Sequence, residues 1–481
     1  MLSNEQQQLL DQLTAQLSAE QKLWVSGYLS GAAGGVSAAM PTSNVAIGIF
    51  YATETGNTKA VAQQLEKAAK ARGIKTKLTA LNRMKPADLE KIKTPAIFLS
   101  STHGEGDPPD LAVKFFDACK EASPLKLDKL EYAMLGLGDA SYEIFCGAAV
   151  TLEGVLTDGG AKAFCETKLL DVDYDTHTPA WVEEVLGAIP GVDAIASAAP
   201  TIAAKAPTQS EGFSRLSTLK GTIQESIILN DTGSNKETYH IEIAFEDTLP
   251  YQPGDAAGII VPQPDGEEPI TPRLYSIASS VLAHEGEVHL TVALAKHVNA
   301  DGSKGFGITS GYLSQLKEGD EVEFYIQRNQ RFKLPADDKD IIMVGPGTGI
   351  APFRAFIEER IERGATGRSW LFFGDQHQHL DFLYQTEWQD WLESGDLTKL
   401  DLAFSRDQEA KVYVQHRMQE HAEELMDWLD GGASFFVCGA KEPMSEDVEK
   451  TLLEIAGTRH ANAEDWLMDL AEADRYVKDV Y

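Results

Sequence analysis

The sequence predicts a multidomain chain in which a doubly wound α/β domain is followed by an antiparallel β-barrel and then by a second α/β domain. Three observations carry that prediction. Short apolar runs at Val45–Phe50, Ala96–Leu99 and Tyr132–Leu135 each break off into a polar or glycine-rich loop, as parallel strands do where their carboxyl ends open on a crevice. Farther on, apolar and polar residues alternate between frequent turns, as in Tyr239-His240-Ile241-Glu242-Ile243 and Val288-His289-Leu290-Thr291-Val292, the pattern of an antiparallel barrel. After Pro335 the apolar runs return, now separated by helical spacings, which implies a second parallel sheet.

A chain of 481 residues exceeds one hydrophobic core and suits about three domains of roughly 100 to 200 residues each. With 42 basic against 74 acidic residues, the formal charge of −32 argues against non-specific binding to nucleic acid or anionic membrane and favours a basic protein partner. The four cysteines, Cys119, Cys146, Cys165 and Cys438, form no CxxC spacing, so neither a metal site nor a disulfide framework is expected and a reducing compartment fits. The N-terminus lacks a basic segment followed by an apolar core, and no run approaches the roughly 18 apolar residues of a membrane helix, so the expected location is the cytoplasm.

Residues 1–29 predict two short helices: Leu10, Leu13 and Leu17 recur at helical spacing, and Ser18 with Gln21 forms a capping box ahead of Leu23, Trp24, Val25 and Tyr28. Two such helices cannot build a core alone, so association with another copy or a partner is expected, and docking on their own chain is the alternative. Residues 30–44, rich in Gly, Ala and Ser, read as a tether. In the first α/β domain, residues 45–189, the loop Thr53-Glu54-Thr55-Gly56-Asn57-Thr58 precedes Val61, Leu65 and Ala68 at helical spacing. Backbone N–H groups and the helix dipole would there face an anion, with the threonine hydroxyls as further donors; a threonine-rich helix cap is the alternative. The second run ends in Ser100-Ser101-Thr102-His103-Gly104-Glu105-Gly106, and the third in Gly136-Leu137-Gly138-Asp139-Ala140-Ser141-Tyr142-Glu143. Residues 190–212, rich in Ala, Pro, Ser and Thr without an aromatic residue, read as a linker.

In the barrel, residues 213–334, the run Thr271-Pro272-Arg273-Leu274-Tyr275-Ser276 sets a guanidinium, a ring and a hydroxyl within four residues; on an extended segment Arg273 and Tyr275 share one side and Ser276 faces the other. The turn Gly305-Phe306-Gly307-Ile308-Thr309-Ser310 enters a short helix and suits a pyrophosphate. In residues 335–481, Ile341–Val344 runs into Gly345-Pro346-Gly347-Thr348-Gly349, a turn whose glycines let a diphosphate approach the backbone. Beyond the strand Leu400–Phe404 lie Ser405-Arg406 and Lys411-Val412-Tyr413-Val414-Gln415, a local set of cations and hydroxyls that suits a 2′-phosphate and hence NADP rather than NAD. By position alone Cys438 reads as a core cysteine and Tyr481 as a frayed end.

Together, T-E-T-G-N-T, S-T-H-G-E-G and L-G-D-A-S-Y-E resemble the three FMN-binding loops of the flavodoxin-like domain of diflavin reductases. The resemblance assigns Thr53, Glu54, Thr55, Gly56, Asn57 and Thr58 to the FMN phosphate, and Ser101, Thr102, His103 and Gly104 to one edge of the ring. It adds Leu137, Gly138, Asp139, Ser141, Phe145 and Cys146, with Tyr142 stacked on the isoalloxazine. The barrel is similar to the FAD-binding barrel of ferredoxin-NADP reductases, which implies FAD contacts from Arg273, Leu274, Tyr275, Ser276, Thr291, Val292, Ala293, His297, Gly307, Ile308, Thr309 and Ser310. NADPH contacts are implied for Gly345, Gly347, Thr348, Ser405, Arg406, Lys411, Val412, Tyr413, Val414, Gln415 and Asp447. Ser276, Cys438 and Asp479 would surround hydride transfer, with Cys438 orienting rather than attacking, and Tyr481 would cover the FAD ring.

Within diflavin reductases, the L-W-V-S-G-Y, P-R-L-Y-S-I-A-S-S and terminal D-V-Y segments look most like the flavoprotein subunits of assimilatory sulfite reductases. That resemblance implies electron flow from NADPH through FAD and FMN to a haem and iron–sulfur (beta) partner subunit that reduces sulfite, with residues 1–29 as the oligomerisation and docking segment. A general NADPH-haemoprotein reductase and a non-catalytic flavin-binding module are the alternatives. One departure is large: related reductases carry a long helical connecting domain where this chain has only Ile259 to Pro272. Looser coupling of the two flavin domains is expected from its absence.

Overall fold

The computed structural model describes residues 45–192, 214–246, 250–264, 270–298 and 302–481. The expected N-terminal helices, their tether and all but the first residues of the 190–212 linker lie outside the described residues. Among the described residues, no helix is long and apolar enough to cross a membrane.

The first sheet is parallel, in the order β2 (Lys75–Ala80), β1 (Ala46–Ala52), β3 (Ala96–Ser101), β4 (Glu131–Leu137), β5 (Lys162–Ala163), with β6 (Lys168–Leu170) also paired to β4. Its central strands are apolar along their length because helices cover both faces, leaving Ile97, Phe98 and Leu99 fully buried. The chain leaves β1 toward one side for β2 and returns to the other for β3, so the loops after β1 and β3 flank the point where strand order reverses. Ligands of open α/β sheets bind there. Helix Asn57–Ala71 opens directly from the first of these loops.

Antiparallel strands β7 (Leu219–Ile228), β8 (Thr238–Ala244), β9 (Ala256–Ile260), β10 (Arg273–Ser276), β11 (Glu287–Ala293) and β14 (Glu321–Gln327) follow in the order β10-β9-β14-β7-β8-β11. A bridge between Ile277 and Leu290 joins the two edges and closes the barrel. Strands β9 and β10 pair directly, Ile259 opposite Arg273 and Ala256 opposite Ser276, so a short connection replaces any inserted domain. The close approach across β9 needs glycine: a Cβ on Gly258 would stand 2.3 Å from the Tyr325 ring. A two-stranded ribbon, β12 (Lys296–Val298) and β13 (Lys304–Phe306), extends beside the barrel.

The last sheet is parallel, ordered β17 (Lys399–Phe404), β16 (Ser369–Asp375), β15 (Ile341–Val344), β18 (Ser434–Gly439), β19 (Tyr476–Val480). Its order reverses between β15 and β18. The turn after β15 packs so tightly on β18 that a Cβ on Gly349 would meet the Cys438 carbonyl oxygen at 2.0 Å.

The flavodoxin-like unit touches the rest of the chain directly. Arg331 donates through Nε to Asp474 at 3.0 Å and through a terminal nitrogen to the Glu54 carbonyl at 3.3 Å, while the Gln330 amide donates to the Thr55 carbonyl at 3.0 Å. Arg215 pairs with Asp139 and Asp171 at 2.9 and 2.5 Å, and the Thr271 hydroxyl donates to the Ser141 carbonyl at 2.8 Å. Asp110 of the first unit, its side chain 8% exposed, forms ion pairs with Lys441 at 3.0 Å and Lys478 at 3.5 Å from the last. Ion pairs and backbone bonds thus join the units directly where a connecting domain would otherwise mediate.

Burial raises the Asp110 carboxyl, but Lys478 and then Lys441 outweigh it and hold the group below its ordinary value. The stabilisation is therefore present above the unfolded pKa and is lost as pH falls through the depressed folded one. Asp110→Asn should weaken docking by about 2 kcal/mol, less than for a fully buried pair because Lys441 is about a third exposed. Small-angle scattering should then give a larger radius of gyration than the wild type at moderate salt; equal radii would exclude this role for Asp110.

Candidate functional site

A single cavity of about 1100 Å³ runs between the three units. Single small-molecule pockets span roughly 300 to 1,000 Å³, so this one has room for more than one ligand of ordinary size. From the first sheet it is lined by Glu54, Thr55 and Asn57, by Ser101, Thr102, His103 and Gly104, and by Leu137, Gly138, Asp139 and Tyr142. The barrel supplies Arg273, Leu274, Tyr275 and Ser276 from β10, Thr291 and Ala293 from β11, and Gly307, Ile308, Thr309 and Ser310 at the start of helix Ile308–Leu313. Thr348 and Tyr481 come from the last unit.

Where the barrel meets the last sheet, the Ser276 hydroxyl donates to Asp479 Oδ2 at 2.9 Å and lies 4.0 Å from Cys438 Sγ. Strand register builds this group: Cys438 and Asp479 are partners on the parallel pair β18 and β19, and β10 delivers Ser276 from across the domain boundary. Burial raises the Asp479 carboxyl, against the Ser276 hydrogen bond and the charges of His103 and Lys333. Burial, and then the Asp479 charge, push the fully buried Cys438 thiol well above its ordinary value. It is held as a neutral thiol, suited to packing and orientation and not to attack as a thiolate.

Tyr481 is not frayed. Its amide donates to the Gly439 carbonyl at 3.1 Å, and its carbonyl accepts the Lys441 amide at 3.0 Å. With the backbone pinned as a continuation of β19, the ring projects into the cavity, 62% exposed, with its hydroxyl 2.7 Å from Thr348 Oγ1.

In the first unit, Gly56 takes φ +92° and its amide donates to the Thr53 hydroxyl at 3.0 Å, shaping the loop that opens helix Asn57–Ala71. Thr58 is fully buried at that helix start, behind the cavity wall, its Oγ1 without a partner among the described residues, while Thr55 and Asn57 of the same helix start line the cavity. Glu54 is occupied structurally: its amide reaches the Ser101 hydroxyl and its carboxylate accepts the Asp110 amide at 2.8 Å. Burial, then the neighbouring Asp110, raise that carboxyl. The donor set, the glycine conformation and the cavity size fit a phosphate-bearing flavin.

Other expected residues stand back from the cavity. Thr53, Gly56, Thr58, Ser141, Phe145 and Cys146 support the loops without lining it, Cys146 being fully buried at φ +53°. Val292 points into the barrel core, and His297 is exposed on the ribbon. Gly345 and Gly347 shape the turn after β15. Ser405 and Arg406 sit past the carboxyl end of β17, their amides bonded to the Asp375 and Gln376 carbonyls. Lys411 and Tyr413 are exposed, Val412 and Val414 pack with the core of the last unit, and Gln415 donates to Asp447 at 3.1 Å. Sequence reasoning passed over Lys441, Tyr174, Tyr325 and Gln327, which also line the cavity. Nothing local in the chain marks them.

The chain matches the flavodoxin family model over residues 49–184 and the oxidoreductase NAD-binding domain model over residues 343–450. With an antiparallel barrel between them, this is the architecture of a diflavin reductase. The chain is 35% identical over 599 aligned positions to the sulfite reductase (NADPH) flavoprotein alpha-component of Bacillus subtilis, covering 100% of this chain and 98% of that one. It is 35% identical over 592 positions to the component of the same name from Vibrio cholerae, covering 100% and 96%. It belongs to the sulfite reductase (NADPH) flavoprotein alpha-component family. An alignment of 599 positions exceeds the 481 residues present, so the Bacillus relative carries positions without a counterpart here.

Ser276→Ala removes the hydroxyl that satisfies Asp479 and lowers its pKa, so the carboxyl should rise further. The rate of NADPH-driven flavin reduction should fall on the order of 10²-fold, with the limb of its pH profile set by Asp479 displaced to higher pH. A lower rate with an unmoved limb would assign Ser276 to packing alone.

Proposed function

We propose that this chain is the electron-donating half of an NADPH-dependent sulfite reductase. It takes a hydride from NADPH and passes electrons, through FAD in the barrel and FMN on the first sheet, to a haem and iron–sulfur partner subunit that reduces sulfite. The two flavins supply the conversion of a two-electron donor into single electrons. The observation that carries this reading is the continuity of one cavity from the loops of the first sheet, across Arg273 to Ser276, to Thr348 and Tyr481.

The residues divide the work by chemistry. The Thr53–Thr58 loop and helix start would hold the FMN phosphate, and the Ser101–Gly104 loop and Tyr142 would hold its ring. Arg273 and the Gly307–Ser310 turn hold the FAD pyrophosphate, while Tyr275 and Tyr481 pack its ring and exclude water. Ser276, oriented by Asp479, is the polar group at the nicotinamide, with Cys438 beside it. Arg406, Lys411 and Tyr413 take the 2′-phosphate, which selects NADPH over NADH.

Residues 1–29 are the segment through which copies of the chain assemble and the haemoprotein docks, and the net charge of −32 favours a partner with a basic docking face. The cysteines among the described residues are free, which suits the cytoplasm. The chain alone, loaded with flavins, should pass electrons from NADPH to a dye but not to sulfite; adding a sulfite reductase haemoprotein subunit should restore sulfide formation. Deleting residues 1–40 should abolish higher assembly and sulfide formation while sparing dye reduction. Sulfide formation by the isolated chain, or its persistence after the deletion, would refute this assignment.

A further inference from the structure

Behind the cavity wall, four side chains run along the outer face of the barrel, where it packs on the last unit, from the cavity toward solvent. Thr291 lines the cavity, and its Oγ1 is 2.7 Å from the Tyr384 hydroxyl. That hydroxyl is 3.0 Å from His240 Nδ1, and His240 Nε2 is 3.1 Å from Glu242 Oε1, on a carboxylate side chain that is 25% exposed. The barrel register builds the series. Thr291 on β11 is the partner of His240 on β8, and Glu242 lies two residues along β8 on the same face. Tyr384 enters from the last unit at φ +56°, in the left-handed region that aromatic residues rarely adopt.

One arrangement of hydrogens satisfies every member. An ionised Glu242 can only accept, so His240 Nε2 carries the ring proton; Nδ1 then accepts from Tyr384, whose oxygen accepts from Thr291. Burial, and then the Arg354 charge, lower His240 to about 4, while burial raises the Tyr384 phenol, so the middle of the series rests uncharged. The same neighbourhood brings His240, Glu242 and His289 ligand atoms within 4.8 Å of one another, a spacing open to a metal ion. The Arg354 guanidinium, however, faces His289 Nδ1 at 3.4 Å. A metal on Nε2 would need that nitrogen protonated, so the guanidinium opposes it and the group is a hydrogen-bonded array.

We propose that Thr291, Tyr384, His240 and Glu242 form a proton relay between the cavity and the exterior. The proposal rests on the NADPH-oxidising function above. NADPH gives up two electrons and a proton as hydride, whereas one-electron acceptors remove electrons alone, so one proton must leave the cavity for each NADPH consumed. As that proton reaches Thr291 Oγ1, the proton of Thr291 passes to the Tyr384 oxygen, that of Tyr384 to His240 Nδ1, and that of His240 Nε2 to Glu242 and then to water. Each group loses one proton and gains one. The hydroxyls then return to their first orientation by rotation, and one pass leaves the imidazole in its Nδ1–H tautomer.

The test uses the full chain loaded with both flavins, mixed rapidly with one equivalent of NADPH and excess ferricyanide in weakly buffered solution. A pH indicator and flavin absorbance are followed together, in H₂O and in D₂O. In the wild type, proton release should keep pace with electron delivery and be slowed in D₂O. Tyr384→Phe should leave flavin loading and NADPH-driven bleaching intact but delay proton release about tenfold or more. Glu242→Gln, at the partly exposed end where folding is not at risk, should delay it in the same sense. A purely structural role would change stability and leave the proton trace on the flavin trace. Proton release coincident with the wild type in both variants and both solvents would overturn the relay. A wild type that NADPH does not bleach would instead overturn the function on which the relay rests.

Discussion

The shared cavity depends above all on where one guanidinium sits. Arg331, with only 9% of its side chain exposed, reaches the Glu54 carbonyl in the first unit, the Ala471 carbonyl at 2.9 Å and Asp474 at 3.0 Å in the last, while its own backbone leaves the barrel. A guanidinium presents its donors in a rigid plane, so three partners on two segments fix both distance and orientation, which a lysine could not do. Gly56 completes the contact. A Cβ there would stand 3.0 Å from Arg331 Cγ, in addition to the strain of φ +92°. The glycine thus shapes the loop and makes room for the residue that holds it against the rest of the molecule.

A second constraint sets the other end of the cavity. The group Ser276, Cys438 and Asp479 is assembled from a barrel strand and two neighbouring parallel strands, so it exists only while the barrel and the last sheet keep their register. Arg354 anchors that joint, pairing with Glu358 at 2.9 Å and Glu387 at 2.6 Å, and donating to the Ala278 carbonyl at 2.8 Å two residues beyond Ser276. Such pairing makes burial of the charge tolerable, because each nitrogen of the guanidinium has an acceptor.

Local signals were the legible part of this molecule. The strand Ile341–Val344 and the loops after β1, β3 and β4 follow from apolar runs that stop at polar turns, and their convergence follows from sheet topology. Val292 and Val414 show the limit of reading a binding set as a consecutive run. Strand alternation turns Val292 to the barrel core beside the cavity-lining Thr291 and Ala293, and Val414 packs in the core where Tyr413 is exposed. Arg331, Asp110, Lys441 and Tyr384 were not legible, because each acts through partners distant in the chain and no periodicity carries that information. The contacts between the units were hidden for the same reason: a missing segment is visible in sequence, whereas the ion pairs that join the units directly are not.

The most direct test of the account is an anaerobic titration of the flavin-loaded chain with NADPH, after released flavins have been identified and counted. One cavity serving both flavin sites predicts one FMN and one FAD per chain, with both absorbance signals bleached by NADPH. Bleaching confined to FAD, with FMN bound but unreduced, would contradict it.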